Sequence, residues 1–233
     1  MKFIRNARLS LLFAGLLAGC TPTLSPPELA QPAQAPAGFP AAYYRQAQAA
    51  GITVLRVDTQ RSRVTIKVGR GGVLARLGHE HVVASHDVNG YIDISAGQAD
   101  LYVPLDRLVV DEPSLRREAG FTTQPSDDAI AGTQHNMQLK VLESARFPFA
   151  LIHIKRGSAD DSKLDVTITL HNTAKTFEVP ALIETVTDGL KISGQLSFNQ
   201  TDFGMTPFSI LGGALQVQDR VDLHFLIFAV ARS

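Results

Sequence analysis

The 233-residue chain has one cysteine and no tryptophan. A single cysteine excludes an internal disulfide framework and a cysteine-rich metal site. The lack of tryptophan removes the commonest aromatic anchor of cation-binding faces. Net charge is also missing, because 22 Lys+Arg balance 22 Asp+Glu. Without a basic excess the chain lacks the electrostatic footprint of a nucleic-acid binder. The apolar run Leu11–Leu17 falls well short of the about 20 residues that span a bilayer. Catalytic signatures are scarce. No Gly-x-Ser-x-Gly elbow occurs, and Gly69-Arg70-Gly71-Gly72 lacks the lysine and following helix of a phosphate-binding loop. The acidic pairs Asp127-Asp128 and Asp160-Asp161 sit in cap and turn contexts. Asp111 and Glu112 read as a solvated start to a helix before Pro113. What remains is 45% hydrophobic and 19% charged, enough apolar content for a folded core. The expectation is a binding protein rather than an enzyme.

The N-terminus carries its own signal. Lys2, Arg5 and Arg8 precede the apolar run, which ends Leu17-Ala18-Gly19-Cys20. This has the form of a secretory signal peptide and resembles the bacterial lipobox. The resemblance implies cleavage after residue 19, a diacylglyceryl thioether on Cys20 and an acylated, palmitate-type amino terminus. More than one acyl chain makes membrane attachment stable. Thr21, not an aspartate, follows the cysteine, and the resemblance to lipoproteins then implies the periplasmic side of the cell envelope and anchoring in the outer membrane. Pro22, Pro26, Pro27, Pro32, Pro36 and Pro40 make up half of the 12 prolines. Such a stretch forms an extended tether rather than a core. Residues 41–50 read as one short helix ended by Gly51. The organisation predicted is a signal peptide over 1–19, a lipidated cysteine and Pro/Ala-rich tether with a short helix over 20–51, and one folded domain over 52–233.

From Ile52 the apolar residues recur every second position. Val64, Ile66 and Val68 alternate with Arg63, Thr65 and Lys67, and Leu164, Val166, Ile168 and Leu170 with Asp165, Thr167 and Thr169. Further runs cover 91–94, 99–103, 151–155, 176–186, 190–198 and 221–230, about eight strands in all. No strand–helix–strand alternation appears. One helical patch, 126–142, interrupts the strands with Ser126 or Asp127 as its cap, and 112–119 reads as a shorter helix. The fold class predicted is all-β with one or two short helices, an antiparallel β-barrel, because closure removes unprotected edges. Such a barrel is either filled by side chains or holds one small apolar ligand.

The order of several short segments resembles the YceI-like, or polyisoprenoid-binding, lipocalin-like family over about residues 54–230. These are Val57-Asp58 with Ser62-Arg63-Val64, Val88-Asn89-Gly90-Tyr91-Ile92, Arg146-Phe147-Pro148, Ile168-Thr169-Leu170-His171-Asn172, Thr201-Asp202-Phe203-Gly204-Met205 and Asp219-Arg220-Val221-Asp222-Leu223. The chain departs from the family pattern at Asn172 for glycine, Gln200 for arginine, and Ala174 and Thr176 for threonine and proline. Asn tolerates the left-handed backbone, so the first change is mild. The resemblance implies an elongated lipocalin-like barrel around an apolar cavity that binds an isoprenoid or quinone-type lipid, for sequestration or transport. A lining drawn from Ile66, Val68, Leu74, Leu77, Ile154, Phe198, Phe203, Met205, Phe208, Ile210 and Leu211 suits a hydrocarbon chain. The same residues equally suit plain core packing. A homodimer is compatible with barrels of this type.

A second patch is Gly78-His79-Glu80-His81. In an extended segment His79 and His81 share one face. Two readings stay open: bonding to backbone or to a ligand head group, or holding a transition metal with a third ligand from His86, His135 or His153. The spacing is not His-Glu-x-x-His, so a metalloprotease helix is excluded.

Overall fold

The computed structural model describes residues 34–157 and 163–231. The expected signal peptide, Cys20, most of the tether and the Asp160-Asp161 turn lie outside the described residues. The described residues contain strands β1 (Val54–Val57), β2 (Arg63–Gly71), β3 (His81–Ser85), β4 (Asn89–Asp93), β5 (Gln98–Pro104), β6 (Val109–Val110), β7 (Phe149–Arg156), β8 (Lys163–Leu170), β9 (Thr173–Val186), β10 (Gly189–Asn199), β11 (Ser209–Ile210) and β12 (Leu215–Ala231). Helices are α1 (Ala41–Ala49), α2 (Pro113–Glu118) and α3 (Asp127–Asn136), which runs on into a π-helical turn, Met137–Val141.

Strands β1, β4, β5, β7, β8, β9, β10 and β12 pair in that order, all antiparallel, and β12 pairs back to β1 at Leu55–Ala231 and Val57–Ala229. This is the closed eight-stranded barrel that the alternation predicts. The extra strands come from broken staves. Along β12, β1 faces Ala229–Ala231 and β2 faces Gln216–Leu226, so the two are one stave interrupted at 58–62. Ser62 makes the interruption tolerable. It is 2% exposed. Its hydroxyl donates to the Phe228 carbonyl (3.3 Å) and accepts from the Phe228 N–H (3.0 Å), which satisfies backbone groups that the break removes from the ladder. By the same pairing β3 continues β4, and β6 continues β5.

The core follows from the alternation. In β8 Leu164, Val166, Ile168 and Leu170 point inward and are buried, while Lys163, Asp165, Thr167 and Thr169 are less so. The β8–β9 hairpin turns on His171 and Asn172, both left-handed (φ 48° and 58°), the geometry of a tight two-residue turn. His171 is held there by its Nε2 contact with the Leu142 carbonyl (2.9 Å) and by stacking on Phe147 (4.3 Å).

Helix α3 closes one end of the barrel. Ser126 caps it, its Oγ accepting from the Ala129 N–H (3.3 Å). Ile130, Met137 and Leu142 pack onto the core, and Gln134 donates to the Leu108 carbonyl (2.6 Å). Helix α1 lies outside the wall at β4 and β5. Its Tyr44 is fully buried, stacks on Tyr91 (5.3 Å) and donates to Asp100 (2.6 Å), while Tyr43 donates to Asp93 (2.8 Å).

Candidate ligand cavity

Inside the barrel lies a cavity of about 280 Å³. Its wall comes from inward positions of nearly every stave: Ile66 and Val68 of β2, Leu101 of β5, Ile152 and Ile154 of β7, Val166 and Ile168 of β8, Ile192 and Phe198 of β10, and Leu223, Phe225 and Ile227 of β12. Most polar groups sit at the ends, while Ser85 of β3 lies near the middle with its hydroxyl accepting from the Asp87 N–H (3.2 Å). Asp93, Gln98 and Arg156 lie where the β4–β5 hairpin turns, and Gln200 lies at the α3 end beside Met137 and Met205. Asp93 is held below the ordinary carboxylate range, first by the Ala96 N–H, with burial opposing and the Ser95 and Tyr43 hydroxyls adding to the effect. Gln200 is anchored by donating to the Gln218 carbonyl (2.8 Å). An apolar tube with few polar groups, most of them near its ends, suits one chain-like apolar ligand.

A second chamber of about 250 Å³ adjoins this cavity at the α3 end. Val68, Val83, Met137, Val141 and Gln200 belong to both linings. Its other walls are Leu77, Phe208, Ile210, Leu215 and Val217, together with Arg70, His79, His81, Thr133, Asn136 and Gln216. Leu77 is 65% and Ile210 44% exposed, so they mark its mouth.

The residues predicted to line a cavity therefore divide. Ile66, Val68, Ile154, Phe198 and Met205 lie on the main cavity, and Leu77, Phe208 and Ile210 on the second chamber, which Val68 shares. Leu74 and Leu211 line neither, and Leu211 is 71% exposed. Phe203 is fully buried behind the wall, edge-on to Phe198 (5.2 Å) and near Phe177 (6.4 Å). Sequence reasoning missed Leu101, Ile152, Val166, Ile168, Ile192 and the apolar face of β12. The signal was present, since each sits at an alternating position of a strand that was recognised.

Residues His79 and His81 reach the second chamber together. β3 starts at His81, which the register places beside Val68 of β2. The His81 Nδ1 donates to Asp111 (2.6 Å), whose other oxygen accepts from the Val82 N–H (3.0 Å) and from Arg116 (2.6 Å). Asp111 is 1% exposed with a left-handed backbone (φ 58°). That corrects the expectation of a solvated start to a helix, because the acid ends the β3–β6 pairing and turns inward. Burial works to raise its pKa, but bonds from His81, Val82 and Arg116 outweigh this and hold the carboxyl below its usual range. Arg116, 1% exposed, also donates to the carbonyls of Glu80 (2.6 Å) and Thr123 (2.5 Å). Arg70 is paired with Glu80 (2.9 Å) and donates to the Gly78 carbonyl (3.0 Å). The His79 Nδ1 is buried with no hydrogen-bond partner.

The third metal ligand considered from sequence does not converge on this pair. His86 contacts Glu112 (2.7 Å), His153 contacts Asp100 (2.7 Å), and His135 is exposed on α3. Among the described residues no group of three His, Cys, Asp or Glu side chains is placed to hold a metal ion.

Known proteins share this architecture. A polyisoprenoid-binding domain from Saccharophagus degradans, implicated in plant cell wall breakdown, superposes with a TM-score of 0.56 at 13% identity, covering 78% of this chain and 99% of its own. BcnA of Burkholderia cenocepacia superposes with a TM-score of 0.50 at 15% identity, covering 73% of this chain and 98% of its own. No match is found among curated proteins. At such identities the likeness is one of fold. The family model of the YceI-like domain matches residues 55–229, the whole of the barrel. With that match over most of its length, the chain belongs to the YceI-like family.

Proposed function

We propose that this protein binds an amphipathic, lipid-like molecule of isoprenoid or quinone type, with the apolar chain inside the barrel. The observation that carries the reading is the predominantly apolar wall of the main cavity, with most of its few polar side chains near its ends. The polyisoprenoid-binding domain from Saccharophagus degradans, which shares the fold, supports it. A cavity of about 150 Å³ accommodates benzene, or about 25 Å³ per heavy atom. On that scale chambers of about 280 and about 250 Å³ together take about twenty heavy atoms, a chain of three to four isoprene units. Burying fifteen CH₂-sized groups at ~0.8 kcal/mol each gives about 12 kcal/mol, and an association cost of about 5 leaves a Kd of about 10 µM.

The lipobox-like sequence at Cys20 adds the setting. A lipid anchor on Cys20 would hold the barrel on the periplasmic side of the outer membrane, where it sequesters or transports its ligand. The role is binding, not catalysis. Fluorescence displacement of an apolar probe by geranylgeraniol tests the reading. Displacement at one site per chain is the expected result, and failure of geranylgeraniol, farnesol and short quinones alike to compete would overturn it.

A further inference from the structure

We propose that the second chamber is the head-group site, and that it selects an uncharged head carrying a hydroxyl, received by His81 Nε2 with His79 beside it. This rests on the reading of the barrel as a lipid-binding protein and specifies the ligand further, as an isoprenoid alcohol or a quinol.

Position is the first argument. The chamber adjoins the apolar cavity, sharing Val68, Val83, Met137 and Val141 with its lining, and it opens outward past Leu77 and Ile210. A chain drawn into the barrel from this mouth leaves its polar end here, where imidazole, amide and hydroxyl side chains gather.

Charge is the second. A phosphate or diphosphate head needs guanidinium or ammonium groups free to meet it. Two guanidinium groups at this end are already engaged, Arg70 by Glu80 (2.9 Å) and Arg116 by Asp111 (2.6 Å), and a third, Arg76 beside Leu77, is exposed to solvent. Lys140 is exposed and lies over the Phe208 ring (5.4 Å), where solvent screens it. The charges nearest the histidines are paired off, so an anionic head there would leave water without a buried counter-charge.

Hydrogen-bond direction is the third. Asp111 is an ionised carboxylate with three donors around it, so in the neutral form of the His81 ring the proton lies on Nδ1. The Nε2 is then a lone-pair acceptor, and it has no partner among the described residues. A carboxylate behind an imidazole fixes its tautomer and makes the far nitrogen a better acceptor. A ligand hydroxyl can donate to the His81 Nε2. An ether oxygen or quinone carbonyl cannot donate and leaves His81 unmet.

The test uses the full-length protein and three probes with one chain: geranylgeraniol, its methyl ether and its diphosphate. Isothermal titration gives the three affinities. The alcohol is expected to bind about tenfold more tightly than the ether, the factor carried by one ordinary hydrogen bond, and the diphosphate no more tightly than the alcohol. In His81→Phe the ratio of alcohol to ether affinity is expected to fall to about one. The wild-type ratio needs no mutant, so the test survives if that variant misfolds. Equal binding of alcohol and ether by the wild type would overturn the head-group assignment and leave the carrier reading standing. Tightest binding of the diphosphate would overturn the uncharged head. Binding of none by folded protein would sink the carrier reading and this inference with it.

Discussion

Filling the barrel from within separates a ligand cavity from a packed core. Val166 is 6% exposed, lies at an inward position of β8 and lines the main cavity. Val166→Phe adds four carbons, about 100 Å³ at about 25 Å³ per heavy atom, against a cavity of about 280 Å³. In a close-packed core such a small-to-large change costs about 1–3 kcal/mol or more, because neighbours are forced off their rotamers. In a barrel with room for a chain, the ring buries its added carbons at ~0.8 kcal/mol per CH₂-sized group, and rotamer restriction takes back part of that. The variant is therefore expected to be neutral or about 1–2 kcal/mol more stable without ligand. It is also expected to bind geranylgeraniol at least about tenfold more weakly, since about four fewer carbons fit at ~0.8 kcal/mol each. Urea denaturation followed by circular dichroism gives the first quantity and probe displacement the second. Destabilisation by 2 kcal/mol or more with unchanged lipid affinity would refute the reasoning.

Three further outcomes follow from the same structure. Asp111→Asn removes the charge that faces buried Arg116 (2.6 Å) and is expected to cost about 3–5 kcal/mol in chemical denaturation at neutral pH. Because the folded pKa of Asp111 lies below its ordinary 3.8, its contribution is complete above that value and is lost as pH falls through the folded value; between pH 5 and 2, wild-type stability should fall more steeply than that of the variant. Tyr44→Phe removes the bond to Asp100 (2.6 Å) and is expected to cost about 1.5–3 kcal/mol, as for a hydrogen bond to a charged group, with faster limited proteolysis in α1 than elsewhere. Cys20→Ser is expected to abolish incorporation of labelled palmitate and to move the protein from the membrane to the soluble fraction of the envelope, and unchanged labelling would rule out lipidation at that residue.

The barrel was legible because its strands alternate cleanly. Leu164 to Leu170 and Val64 to Val68 show the period-two pattern, and closure follows from the need to cover edges. The α3 cap at Ser126 was readable for the same local reason. The cavity wall was less so. Leu77, Phe208 and Ile210, apolar residues near turns, line the second chamber at the barrel end, whereas Leu74 lines neither space. Ile152 and Ile168 lie on the wall because β7 and β8 pair in a register that sets them side by side, and register depends on partners distant in sequence. The Asp111–His81 contact spans 30 residues and exists only because β3 pairs with β6. No spacing rule on one segment reveals it, so Asp111 looked like an ordinary solvated acid before a proline.

The most direct test of the central claim is native mass spectrometry of the full-length protein after incubation with vesicles containing geranylgeraniol, for the wild type and Val166→Phe side by side. The account expects one lipid adduct per wild-type chain, released on collisional heating, and a much reduced adduct on the variant. A wild-type chain that leaves the vesicles bare, while its circular dichroism shows the folded barrel, would contradict it.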